Sequence, residues 1–236
     1  MTLTYIFHSG FVVGSEKSAI IFDYFKDSED GFVHRLLDSF DGAIYVLASH
    51  WHPDHFNSEI LQWRSQRPDI KYILSRDILK KRYAAASDAT FLKKGECFED
   101  ENIKVQAFGS TDVGVSFLLA TESKLIFHAG DLNFWHWKDE STAEEVRQSE
   151  LAFLNEVDTI RQTVERVDVA MFPVDARLGN DYMLGAEMFI ERIHCELFAP
   201  MHFTSAYDKA NAFRRYAESK GCRFAAWSKK GQSIDF

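Results

Sequence analysis

Ala43-Ile44-Tyr45-Val46-Leu47-Ala48 is an unbroken run without charge, and it ends directly on Ser49-His50-Trp51-His52-Pro53-Asp54-His55. Such a run reads as a strand buried on both faces, so the chain must fold with a layer on each side of it. The loop that follows packs three histidines and one aspartate into positions 50 to 55. Alternation along extended chain puts His50 and His52 on one side, and the turn at Pro53 aims Asp54 and His55 in a second direction. One short loop can therefore feed two adjacent metal ions, and imidazole with carboxylate suits zinc, iron or manganese. The bland alternative is a loop of solvated histidines without metal. Four donors in six residues at a strand end weigh against it.

The rest of the chain supplies the layers. Residues 3–7, 11–13 and 19–22 read as strands separated by the Ser9-Gly10 and Gly14-Ser15 turns, and Phe32, Leu36, Leu37 and Phe40 follow at helical spacing. Asn57 or Ser58 can cap a helix carrying Ile60, Leu61 and Trp63. Residues 71–74 read as a strand and 76–86 as a helix. Strands are expected at 91–92, 103–108, 115–120 and 124–127, then a long helix opened by a Ser141/Glu144 capping box and ending near Arg166. Strands at 169–172, 197–199 and 223–227 alternate with helices at 183–193 and 206–219. No linker, low-complexity stretch or exact repeat divides the chain. This rhythm predicts one domain over residues 1–236, an α/β fold with two sheets face to face and helices outside.

Composition narrows the partners. A formal net charge of −9 disfavours a general nucleic-acid binder, which needs a basic surface. The short clusters Lys80-Lys81-Arg82, Lys93-Lys94 and Lys229-Lys230 read as solvated faces. Cys97, Cys195 and Cys222 are too few and too scattered for a disulfide framework or a thiolate metal site. No stretch approaches the roughly 18 apolar residues of a membrane span, so the expectation is a cytoplasmic protein acting on a small molecule. A homo-oligomer is compatible with the sequence, which encodes no oligomeric state.

Two more strand ends carry donors. Leu125-Ile126-Phe127-His128-Ala129-Gly130-Asp131 is a β-run closed by Gly-Asp, where glycine permits the sharp turn that presents a carboxylate able to bridge two ions. His202 lies in Ala199-Pro200-Met201-His202-Phe203, just past another strand. In order and spacing, His50-x-His52-x-Asp54-His55, Gly130-Asp131 and His202 resemble the metallo-β-lactamase-fold hydrolases, and Ile20-Ile21-Phe22-Asp23 extends the resemblance over nearly the whole chain. It implies an αββα four-layer sandwich of two mixed sheets with two divalent metal ions at one edge. It further implies that His50, His52 and Asp131 serve one ion, and Asp54, His55, Asp131 and His202 the other. The settings of His202 and of His8-Ser9-Gly10-Phe11 resemble the branch holding sugar-phosphate lactonases and phospholipase-D-type members.

The chain departs from that family at one place. The usual third histidine of the first ion is missing from Gly109-Ser110-Thr111-Asp112-Val113-Gly114. Three readings follow: Asp112 coordinates in its place, His8 swings in, or the first site is weak or vacant. Asp112 fits the loop position best, and its oxygen shifts the preference toward manganese or iron; an ordinary turn aspartate is the alternative.

Leu132-Asn133-Phe134-Trp135-His136-Trp137 is dense in aromatic rings, as substrate pockets are. Asn133, Trp135 and His8 are candidate substrate contacts, and Arg177 and Tyr182 can line the same cleft. His128, His34 and His194 read as structural. The expected chemistry is hydrolysis of a small ester, lactone or phosphodiester by activated water, with Asp54 holding or deprotonating that water and His202 or His136 donating to the leaving group. A di-iron redox protein and a non-catalytic metal-binding domain are the rivals.

Overall fold

Side-chain alternation along the N-terminal strands sorts the chain into layers. In β1 (Thr2–Phe7), β2 (Gly10–Gly14) and β3 (Ser18–Phe22), the residues Leu3, Tyr5, Phe11, Val13, Ile20 and Phe22 enter one buried cluster. Their neighbours Ile6, Val12, Ala19 and Ile21 enter another. The period of two continues through β4 (Ala43–Ala48), where Tyr45 and Leu47 point one way and Ile44, Val46 and Ala48 the other. Both faces are covered, which is why the run carries no charge.

The computed structural model describes residues 1–236 and contains two seven-stranded sheets. The first adds β5 (Lys71–Ser75), β6 (Thr90–Leu92) and the C-terminal β14 (Gln232–Asp235), in the order β14-β1-β2-β3-β4-β5-β6. The second comprises β7 (Cys97–Glu99), β8 (Ile103–Phe108), β9 (Ser116–Thr121), β10 (Lys124–His128), β11 (Arg166–Pro173), β12 (His194–Met201) and β13 (Arg223–Phe224), running from β13 to β7. Each sheet is antiparallel in one half and parallel in the other: β3 to β6 in the first, β10 to β13 in the second.

Helices close the outer faces. Val33 and Leu37 of α1 (Phe32–Ser39) cover the first sheet together with Ile60 and Trp63 of a 3-10 helix. Phe153, Val157 and Ile160 of α3 (Ala143–Arg161) and Phe189 of α4 (Leu184–Ile190) cover the second, where Phe189 stacks on Phe172 with centroids 4.6 Å apart. This is the expected αββα sandwich. No helix is long and apolar enough to cross a membrane.

The local differences have local causes. The capping box sits one residue later than expected: Glu145 N–H donates to the Thr142 hydroxyl while the Glu145 carboxylate accepts from Thr142 N–H. The helix over 58–65 is a 3-10 helix, capped by Asn57. The expected helix at 76–86 stops as α2 (Arg76–Lys80), before Arg82 turns left-handed at φ 63°. The helix expected at 206–219 is broken into α5 (Tyr207–Asn211) and α6 (Arg214–Ser219). β7 and β14 escape detection because short edge strands alternating with polar residues look like loop.

Candidate metal centre

The parallel halves of both sheets end at the same edge, and their carboxyl-terminal loops meet there. β4 delivers His50, His52, Asp54 and His55; β10 delivers Asp131; β12 delivers His202; the tight turn between β1 and β2 delivers His8. Two glycines make the approach possible. A Cβ on Gly130 (φ 53°) would lie 2.7 Å from Ser49 Cβ, and one on Gly114 (φ 77°) 2.1 Å from the Ser49 carbonyl oxygen.

Potential ligand atoms gather into two groups, each within a 4.8 Å span: His50, His52, Asp112 and Asp131 in one, His8, Asp54, His55 and His202 in the other. Asp131 lies between them. Its Oδ2 is 3.4 Å from His50 Nε2, and its Oδ1 is 3.1 Å from His55 Nε2 and 3.2 Å from His202 Nε2. Asp112 stands 3.7 Å from His52 Nδ1, and Asp54 stands 3.2 Å from His8 Nε2. His8 therefore does not swing toward His50 and His52 as a substitute for the missing histidine; it packs on His202 with ring centroids 4.1 Å apart.

Proton counting fixes which ring nitrogens face inward. Asp23 is fully buried and accepts from Ser49 N–H (2.7 Å), the Ser49 hydroxyl (2.6 Å) and His55 Nδ1–H (2.6 Å). Because the Ser49 hydroxyl has one proton and gives it to Asp23, its 3.0 Å contact with His50 Nδ1 must be donated by the ring. Asp175 likewise accepts from His202 Nδ1–H at 2.9 Å and is gripped from outside by Arg177. His50, His55 and His202 are thus left with Nε2 directed at the centre.

Four of these inward atoms are buried without a hydrogen-bond partner: Nε2 of His8, His55 and His202, and Oδ1 of Asp131. Their close polar neighbours are one another and Asp54, at 3.1–3.2 Å but out of hydrogen-bond alignment, and a bound cation would satisfy all of them together. Electrostatics agrees. Burial pushes His50 down to about 3 and His8 down to about 4, so both are neutral donors at neutral pH. Burial also opposes charge on His55 and His202, yet Asp131, together with Asp23 beside His55 and Asp175 beside His202, outweighs it and raises both, so protons gather where a cation would sit. Asp112 is raised by burial and by repulsion from Asp131. The donor set fits divalent metal. Three of the eight non-glycine residues with positive φ, His8, Asp23 and His202, lie at this point, where backbone strain of that kind concentrates.

A cleft of about 470 Å³ opens over the centre, lined by His52, Asp54, Thr111, Asp112, Asp131, Trp135, Trp137, Arg177 and His202. A larger hollow of about 580 Å³ between Glu29, Tyr207 and Lys229 contains none of the donors, so chemistry and not volume marks the site. Trp135 and Trp137 stack at 6.2 Å, and the Trp135 indole N–H donates to the Asp131 carbonyl at 2.8 Å.

Not every candidate reaches the cleft. His136 is buried, with Nε2 on the Asp181 carbonyl (3.3 Å) and Nδ1 accepting from Lys138 N–H (3.2 Å), so it has no proton for a leaving group. Asn133 is buried against Gly185 of α4, and the Tyr182 hydroxyl donates to the Lys209 carbonyl; neither lines the cleft. His128 is structural: Nε2–H donates to the Ser9 carbonyl at 2.9 Å and the ring stacks on Phe22. Sequence reasoning missed the supporting roles of Ser49 and Asp175, and named Asp23 only within the family resemblance. The signal was present, since Asp23 and Asp175, like Asp131, close runs of buried strand residues.

Residues 2–202 match the model of the β-lactamase superfamily domain. No curated protein matches the chain in sequence. Among solved structures, the metallo hydrolase Igni18 from Ignicoccus hospitalis superposes with a TM-score of 0.70 at 18% identity, covering 100% of this chain and 98% of its own. The metallo-β-lactamase-fold protein YhfI from Bacillus subtilis gives 0.67 at 12% identity, with coverage of 99% and 98%. CmlA, a di-iron β-hydroxylase from Streptomyces venezuelae, gives 0.69 at 11% identity, covering 100% of this chain and 54% of that one. With the family model spanning most of its length and the sandwich in place, the chain belongs to the β-lactamase superfamily and has the metallo-β-lactamase fold.

Proposed function

We propose that this protein is a metal-dependent hydrolase of a small-molecule ester, lactone or phosphodiester. The observation that carries the reading is the convergence of unsatisfied, buried donor atoms on Asp131 at the floor of an aromatic-walled cleft. Two divalent ions, with zinc, manganese or iron all suited to the donors, would be held by His50, His52 and Asp112 on one side and by Asp54, His55 and His202 on the other, with Asp131 between. When bound, such ions supply Lewis acidity, bringing the pKa of water toward neutrality and polarising a carbonyl or phosphoryl oxygen.

The chain's own groups do the rest. Burial would raise Asp54, but the His8 and His55 imidazoles more than reverse this and hold its carboxyl well below the usual range. Asp54 therefore orients water as an acceptor better than it stores a proton. Arg177 is the only lysine or arginine lining the cleft. Asp175 anchors its Nε and Nη2, which leaves Nη1 to meet a substrate oxygen carrying negative charge. Trp135 and Trp137 form the wall for an apolar or planar portion.

The test is to strip the protein of metal, reload it with zinc, manganese or ferrous iron, and assay chromogenic bis-phosphodiesters, lactones and carboxylic esters. Turnover of at least one class is expected, with Arg177→Ala raising KM more than it lowers kcat for anionic members. Full loading without turnover of any class overturns the hydrolase reading. Two bound irons with a visible absorption band and no hydrolysis would replace it with a di-iron redox centre.

A further inference from the structure

The two donor groups are built unequally. His55 and His202 are buried and their Nδ1–H groups are pinned by fully or nearly fully buried carboxylates. In the other group, two donors meet solvent, His52 at 32% and Asp112 at 44% exposed, whereas in the group of His55 and His202 only Asp54 does, at 41%. The inequality is widened by His8, the one donor that the turn between β1 and β2 provides.

His8 is 3% exposed; its Nδ1 has no hydrogen-bond partner, and its Nε2 faces the Asp54 carboxylate at 3.2 Å with His55 and His202 alongside. A cation among these four donors would satisfy the buried imidazole and the Asp54 carboxylate together. Its backbone is left-handed at φ 58°, as is that of His202 at φ 63°, and the two strained residues are joined by His202 N–H donating to the His8 carbonyl at 3.0 Å. The His8 N–H is taken up by the Tyr5 hydroxyl at 3.0 Å, which fixes the turn from the other side. The fold thus spends local strain to aim this ring inward.

We propose that His8 is a direct metal ligand completing a four-donor, all-protein site with Asp54, His55 and His202, and that this site holds its ion far more tightly than the more exposed His50/His52/Asp112 site. The proposal rests on reading the centre as metal-binding. Closed sites with four protein donors are the structural kind, whereas sites that keep an exchangeable position are the catalytic kind. With three imidazoles against two, the His8 site would favour zinc, and the His50/His52/Asp112 site would accept harder ions. Loading is therefore sequential, the buried ion first and the exposed one second.

The test uses the full chain stripped of metal and titrated with zinc against a competing chelator, beside His8→Gly. Glycine keeps the left-handed turn without strain, and thermal unfolding of the metal-free variant checks that it is folded; His8→Asn serves as a second variant that also tolerates this conformation. Wild type is expected to bind two zinc ions in separate phases, and His8→Gly to lose more than about 100-fold in affinity in the tight phase alone. That exceeds the roughly 10–100-fold cost of removing an outer partner that merely orients a ligand. In the cobalt(II)-loaded proteins, one downfield imidazole N–H resonance present in wild type should vanish in His8→Gly, because coordination through Nε2 leaves the ring proton on the buried Nδ1. Two tight zinc ions in His8→Gly, or an unchanged set of imidazole resonances, overturns the ligand role while leaving the metal centre standing. Wild type that binds no zinc, manganese or iron overturns both readings.

Discussion

At the end of β4 a single loop delivers four donors within six residues, whereas the second sheet contributes Asp131, Asp175 and His202 from the ends of three separate strands. The first contribution is held by its own chain: His55 N–H and Phe56 N–H return to the His52 carbonyl, and Ser49 bridges Asp23 to His50. The second has no local scaffold and depends on β10, β11 and β12 lying in register, with Ala129 N–H on the Met171 carbonyl and Val174 N–H on the Met201 carbonyl. A contiguous loop carries ligand identity, and a parallel sheet carries ligand position. The two therefore fail differently when altered.

Asp131→Ala removes the carboxylate that stands between the groups and should have the largest effect, loss of most bound metal with an unchanged circular dichroism spectrum. Unchanged stoichiometry by elemental analysis would sink its bridging position. Next come the two anchoring carboxylates, which sharpen the contrast directly. Asp23→Ala strands three donors in a fully buried pocket and should cost about 3–5 kcal/mol of stability in urea titration. Asp175→Ala, where exposed Arg177 and solvent can compensate, should instead lower metal affinity about 10–100-fold with little loss of stability. Equal unfolding midpoints for the two variants would erase the distinction between loop and sheet. Asp112→Ala should lower occupancy of one ion only; loss of neither would make it a turn residue. His136→Gln should be the mildest, leaving metal content and turnover alone, and a large drop in turnover would return that ring to the chemistry.

Much of this was legible in the chain. The charge-free run before Ser49 announced a strand with both faces covered, and alternation in β1 to β3 announced layers, because period-two burial is written residue by residue. The donors of the histidine loop, Asp131 and His202 were legible for the same reason: each directly follows a run of buried strand residues. Helix extents were less so, since Arg82 turning left-handed and the break before Arg214 come from tertiary packing overriding intrinsic propensity.

The sequence by itself determined the kinds of donor, their order along the chain and the strands that end in them. Only the tertiary structure decided the partnership of those donors. His8 joins Asp54, His55 and His202 because the β1–β2 turn docks on the end of β12 through His202 N–H. Asp23 and Asp175 become the anchors of His55 and His202, and His136 is turned away to the Asp181 carbonyl. Spacing in sequence governs what one segment can present, but which segments face each other across an edge is set by how two sheets bury their common core.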